Sequence, residues 1–273
     1  MSADCFLLRE WQGIRYYTCC AFNKLPHVRH GFSTRFGGEP RPNAGSFNLG
    51  NTLLDTHQQV NENRRRFLSA IGLKDAPLIT LRQIHSNRVH IIEDIPAQWN
   101  PGEGDALATR RENIALSVQV ADCLPVLIAD PEKNAVAAVH SGWRGTLSGI
   151  LPKTIREMER AFGSNPSALL IAIGPGIRVC CFEVGQEVAD LFGGQYPGCL
   201  SLTGRNGKYR LDLTKVLDTQ INLAGIDPSH CYDLAACTRC DSEQFYSYRA
   251  YGSAAGRMMA TIGMPGSRIR NHK

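Results

Sequence analysis

Three runs of β-branched and aliphatic residues, Ile114–Val120, Pro125–Ala129 and Ala135–His140, follow one another with only turn residues between them. Strands this apolar and this close together demand a sheet whose faces are covered. Further short apolar runs flank them at Ile79–Leu81, Val89–Ile92 and Leu169–Ile173. Helical periodicity appears elsewhere. Val60, Phe67, Leu68 and Ile71 form one stripe, with Asp55 as the expected cap and Gly72 as the stop. Leu147, Ile150, Leu151, Thr154, Met158 and Phe162 form a second. Helices are also expected near 184–192 and over 213–224, the latter capped by Asp212 and stopped by Gly225. Strands and helices do not alternate regularly, so a TIM barrel or a simple Rossmann sheet fits poorly. The pattern predicts a mixed α/β or α+β fold, a sheet covered by helices, with no linker dividing residues 1–273.

Composition narrows the class. With 43% hydrophobic and 20% charged residues over 273 positions, disorder and coiled coil are excluded. A formal charge of +5 suits an anionic small substrate and is weak grounds for nucleic-acid binding. The longest nearly apolar run, Ile114 to Ala129, is broken by Gln119, Asp122 and Pro125 and is too short to span a bilayer. No signal peptide precedes it, so the expected compartment is the cytoplasm. There the ten cysteines are expected to be free thiols, a few of them serving metal or catalysis.

Three residues near predicted strand ends carry the chemistry: His85, Cys123 and His140. Two imidazoles and a thiolate make a tetrahedral zinc set with the fourth position open. The same atoms allow a Cys123 nucleophile with His140 as its base. Asp122, if the segment is extended, faces away from Cys123 and reads as a structural partner. The turn Gly142-Trp-Arg-Gly145 opens a helix and, with Arg144, is either an anion site or a tight packing turn. Arg35, on the glycine-rich stretch 31–50 that reads as a long loop, either meets a ligand or is solvated. Arg64 either snorkels at a helix edge or enters a pocket. Cys237-Thr-Arg-Cys240 has clip spacing but stands alone, and is expected to be incidental. The nucleobase-deaminase signature, H-x-E followed by P-C-x-x-C, is absent.

An ordered set of motifs goes further. Gly31-Phe-Ser-Thr-Arg-Phe-Gly-Gly38, Asn48-Leu-Gly50, Gln83-Ile-His85, Gly104-Asp-Ala-Leu-Ala-Thr109 and Ala121-Asp-Cys-Leu-Pro125 come first. Val139-His-Ser-Gly-Trp-Arg-Gly145, Ile173-Gly-Pro175, Cys180-Cys-Phe-Glu-Val184, Cys237-Thr238, Phe245-Tyr-Ser-Tyr-Arg249 and Gly256-Arg-Met258 follow. The set resembles the YfiH family, also called the laccase-domain or polyphenol-oxidase family. That resemblance implies a mixed β-sandwich flanked by helices and zinc on His85, Cys123 and His140. Arg35, Asn48, Arg64, Gln83 and Arg144 are the expected substrate-binding residues. It also implies phosphorolysis of adenosine, inosine, guanosine and methylthioadenosine, with adenosine deamination. A second attribution in the family is a cytoplasmic muropeptide amidase, and an older one is a copper oxidase. Multicopper chemistry needs many paired histidines, whereas this chain has eight His and no H-x-H. Two His and a Cys match a blue-copper set, but one copper cannot reduce oxygen by four electrons. The expected partners are a purine nucleoside and phosphate, with neither nucleic acid nor membrane.

Overall fold

The computed structural model describes residues 5–37, 47–94, 102–202 and 207–266. The first sheet has the order β1 (Phe6–Trp11), β2 (Ile14–Cys19), β3 (Arg29–Ser33), β15 (Met258–Met264), β7 (Ile114–Val120) and β4 (Leu78–Ile79). The second runs β14 (Cys231–Asp233), β10 (Leu170–Ile173), β8 (Leu124–Asp130), β9 (Ala135–Ser141), β6 (Ala106–Thr109) and β5 (Val89–Ile91). A small third sheet holds β11 (Glu183–Val184), β13 (Tyr209–Leu211) and β12 (Leu200–Leu202). The helices are α1 (Cys20–Asn23), α2 (His57–Ala70), α3 (Trp143–Leu147), α4 (Ile150–Phe162), α5 (Gln186–Gly193), α6 (Leu213–Leu223) and α7 (Tyr248–Tyr251).

Alternation along the strands explains the layering. In β8, Val126 and Ile128 join a core shared with Ile155 and Met158 of α4 and Val216 and Leu217 of α6. Leu127 and Ala129 point the other way, into a core shared with Leu116 and Val118 of β7 and Ile262 of β15. Each face of the second sheet is therefore buried, one under helices and one under the first sheet. The outer face of the first sheet is covered by α2, through Phe67, Leu68 and the following Ile71 against Ile14, Tyr16 and Met259. The result is two packed sheets between helical layers, an α+β sandwich. No helix among the described residues is long and apolar enough to cross a membrane.

Several sequence expectations shift. Thr56, not Asp55, caps α2, in a capping box with Gln59 whose side chains and backbone N–H groups exchange bonds. The stripe from Leu147 to Phe162 is two helices, because Gly149 takes a left-handed φ of 74° between them. Residues 31–33 of the expected loop form the end of β3, and residues 38–46 lie outside the described residues. The strands β1, β2, β12, β13 and β15 have no counterpart among the strands expected from the sequence.

Candidate functional site

Strand register builds the site. β9 lies between β8 and β6, with Pro125 opposite His140 and Ala106 opposite Val139. Cys123, one residue before β8, and Asp105, one residue before β6, therefore arrive on opposite sides of His140. The backbone N–H of His140 donates to the Asp105 carbonyl at 2.7 Å. Its ring Nδ1 donates to Asp105 Oδ1 at 2.8 Å, which leaves Nε2 as the free ring nitrogen.

Asp105 also gathers the loop that carries His85. Its carboxylate accepts the backbone N–H of His85 at 3.0 Å and both the N–H and hydroxyl of Ser86 at 2.6 and 2.7 Å. His85 itself sits at a left-handed φ of 57° in that loop, rather than at a strand end as expected. Its Nε2 lies 3.8 Å from Cys123 Sγ, and its ring meets that of His140 edge-on at 4.9 Å between centroids. The donor atoms of His85, Cys123 and His140 all lie within 4.8 Å of one another. Gly142 permits this closeness: a Cβ there would stand 2.7 Å from the His85 ring and 3.1 Å from Cys123 Sγ.

Electrostatics follows from the burial of these groups. Burial raises the Cys123 thiol, but the His140 and His85 rings outweigh it and bring the thiol down to about 6. For His140, burial acts downward, while the Cys123 sulfur and Asp105 together hold it up, to about 9. Asp105 is raised by burial and pulled down more strongly by the bonds from His140 and Ser86, to about 2.

The three donors face a cleft of about 660 Å³. Arg82, Arg249 and Arg257 supply its cationic lining, and Trp143, Phe182 and Tyr248 its aromatic one. Asn48 and Gly50 build the arginine face. Asn48 is fully buried and its Oδ1 accepts the Arg257 backbone N–H at 2.8 Å. A Cβ on Gly50 would come within 2.5 Å of the Arg257 side chain. Asn48 thus acts through Arg257 and does not itself line the cleft.

The other expected substrate-binding residues are placed differently. Gln83 does line the cleft, but its amide is engaged with the Gln119 backbone, donating to the carbonyl and accepting from the N–H at 2.7 Å each. Arg64 donates to the Leu49 carbonyl at 2.8 Å, which supports the same 48–50 turn from behind. Arg35 lies away from the cleft lining, its guanidinium donating to the Ser242 carbonyl and stacking on Tyr246. Arg144 is exposed and stacks on Trp143, while α3 is too short to focus an anion. Arg35 and Arg144 thus stand outside the cleft lining, whose arginines are Arg82, Arg249 and Arg257. Asp122 is not extended, with φ of 86°. Its carboxylate accepts the Thr238 hydroxyl at 2.7 Å and the Arg249 N–H at 2.6 Å, so its place is structural for a reason other than strand alternation. Asp105 lies in the motif Gly104-Asp-Ala-Leu-Ala-Thr109, but its role behind His140 has no signal in the linear chain.

Known proteins share this arrangement along nearly the whole chain. Residues 29–265 match the family described as multi-copper polyphenol oxidoreductase laccase. A purine nucleoside phosphorylase of Deinococcus radiodurans is 36% identical over 239 residues, covering 87% of this chain and 90% of that protein. The adenosine deaminase RL5, from an unknown prokaryotic organism, is 34% identical, covering 85% and 92%. The crystal structure of YlmD from Geobacillus stearothermophilus superposes with a TM-score of 0.84 at 28% identity, covering 96% of this chain and 99% of that one. A match of this extent makes this chain a member of the YfiH, or laccase-domain, family.

Proposed function

We propose that this protein is a zinc-dependent purine nucleoside phosphorylase that also deaminates adenosine. The observation that carries the reading is the convergence of His85, Cys123 and His140 on the floor of a cleft walled by arginines and aromatic rings. The donor set fits zinc. Bonds of about 2.0–2.3 Å in a tetrahedron place ligand atoms roughly 3.3–3.8 Å apart, and the Cys123–His85 separation of 3.8 Å meets that. Asp105 fixes the His140 tautomer from the outer side, as carboxylates do behind metal-bound imidazoles. The names of the relatives supply the substrate class.

His85 Nε2, His140 Nε2 and the Cys123 thiolate would hold the ion, which supplies a Lewis acid for phosphate or water when bound. Arg257 and Arg249 neutralise a phosphate in the cleft, through charge-assisted bonds. A planar purine fits between the rings of Trp143, Phe182 and Tyr248. In phosphorolysis a phosphate oxygen forms the bond to the anomeric carbon, the bond to purine N9 breaks, and the base leaves with a proton. In deamination water attacks purine C6 and ammonia departs. Copper is accepted by the same three donors, but multicopper oxidation needs more histidines than the cluster holds.

A second reading has its own observation. The Cys123–His140–Asp105 chain, with the thiol lowered and the imidazole raised, is the order of a cysteine hydrolase triad, which suits a muropeptide amidase. His85 has no task in that triad, which favours the metal. Product analysis separates the two. Adenosine should yield adenine and ribose 1-phosphate only with phosphate present, and a strong chelator should abolish both this and inosine formation. Full activity of the chelated protein, lost instead on alkylation of Cys123, would establish the hydrolase.

A further inference from the structure

The Cys237–Cys240 pair is not solitary in space. The loop that leaves β10 returns along the segment after β14, with Gly176 bridged to Cys237 in parallel. The Gly176 N–H donates to the Ala236 carbonyl at 3.2 Å, and the Thr238 N–H to the Gly176 carbonyl at 3.1 Å. This lays Cys180 and Cys181 against the Cys237-Thr-Arg-Cys240 turn. Cys240 Sγ lies 3.5 Å from Cys180 Sγ and 3.4 Å from Cys181 Sγ, and all four sulfurs fall within 4.8 Å of one another.

We propose that Cys180, Cys181, Cys237 and Cys240 form a second metal site, a closed tetrathiolate that binds one zinc ion. Two disulfides would need only two of the six sulfur pairs to be close. A tetrahedral ligand set needs all six, at about 3.8 Å for zinc–sulfur bonds of about 2.3 Å. The spacing C-x-x-C supplies one half of such a set, and a four-sulfur shell selects a soft, thiophilic ion. Binding replaces four S–H bonds by four zinc–sulfur bonds and releases their protons, leaving a net charge of −2. Arg210, which donates to the Cys180 carbonyl, lies beside that charge.

The site ties two cleft-bordering loops together. Ile177 and Phe182 line the cleft from one, and Thr238, from the other, donates to Asp122 beside Cys123. Its role is positional, and no catalytic step passes through it.

Metal analysis of dialysed protein tests the site independently of the cleft. The Cys237→Ser/Cys240→Ser variant should contain one zinc equivalent less than the parent, and His85→Ala/His140→Ala should keep that equivalent. Failure of the cleft reading alone would show as one equivalent in the parent and none in the cysteine variant. Because the cysteine variant can fail to fold, His85→Ala/His140→Ala is also loaded with cobalt. It should give the intense thiolate-to-cobalt charge-transfer band and visible bands of a tetrahedral tetrathiolate. Absence of that spectrum overturns the site, as does unchanged zinc content on loss of both cysteines. So does a protein mass lighter by two or four hydrogens that a reductant restores, which would mean disulfides. Iron with acid-labile sulfide would overturn zinc.

Discussion

The chain places two sulfur-bearing clusters on the borders of one cleft, and they differ in almost every physical respect. His85, Cys123 and His140 mix imidazole with thiolate, leave one coordination position free, and face the 660 Å³ space directly. A buried carboxylate, Asp105, stands behind them and fixes both ring orientation and loop path. The four-cysteine cluster is all sulfur, and its two loops are joined by the Gly176–Cys237 backbone bridge rather than by a buried carboxylate. The first arrangement suits an ion that must meet substrate, the second one that holds loops in place. On the proposed reading, the difference separates chemistry from scaffolding: nitrogen donors and an open position where reaction would occur, a saturated soft shell where it would not.

The comparison breaks most visibly at the cleft donors. His85→Ala and Cys123→Ala should lower kcat/KM by roughly three orders of magnitude or more, with loss of the cleft ion while the tetrathiolate ion stays. If zinc analysis finds both ions lost together, the two sites are not independent. Next comes the support behind the donors. Asp105→Asn should weaken zinc affinity about 10–100-fold, read by competition with a chromophoric chelator. An unchanged affinity would remove Asp105 from that role.

A third effect sharpens the division among arginines. Arg257→Ala should raise the phosphate KM by about ten- to a hundredfold, for the loss of roughly 1.5–3 kcal/mol. Arg35→Ala and Arg144→Ala, away from the cleft lining, should leave it within about twofold. Equal effects in all three variants would return the anion site to the Gly142 turn.

The smallest effect concerns α6, away from both clusters' donor atoms. Asp218 is raised to about 6, first by burial and then by the nearby Asp233, which holds Arg178. A carboxyl raised on folding contributes its stability at low pH and loses it as pH rises through about 6. Asp218→Asn should therefore stabilise the protein at pH 7, by about 1 kcal/mol after screening, and give no gain at pH 4. Thermal unfolding at the two pH values decides it.

Much of this was legible in the linear chain. Ile114–Val120 appears with its ends unchanged, and the α6 cap at Asp212 is as read, accepting the Lys215 N–H at 3.1 Å. Such features depend on local periodicity and capping chemistry, which neighbours in sequence determine. The three donors were also recoverable, because each lies in a motif of its own. The roles of their supports were not. Asp105 and Arg257 also lie in motifs, but Asp105 has no assignable task until β6 pairs with β9, nor Arg257 until Asn48 reaches it across the sandwich.

The sequence by itself determined the buried central strands, the longer helices, and which side chains have chemistry to offer. Tertiary structure decided which of those side chains meet. Arg35 and Arg144, on glycine-flanked turns, point to other partners. The clip Cys237–Cys240, incidental in the linear chain, meets Cys180 and Cys181 across some sixty residues of sequence. Sheet order and register set such encounters, and both arise from the burial of whole faces, which no short stretch of sequence contains.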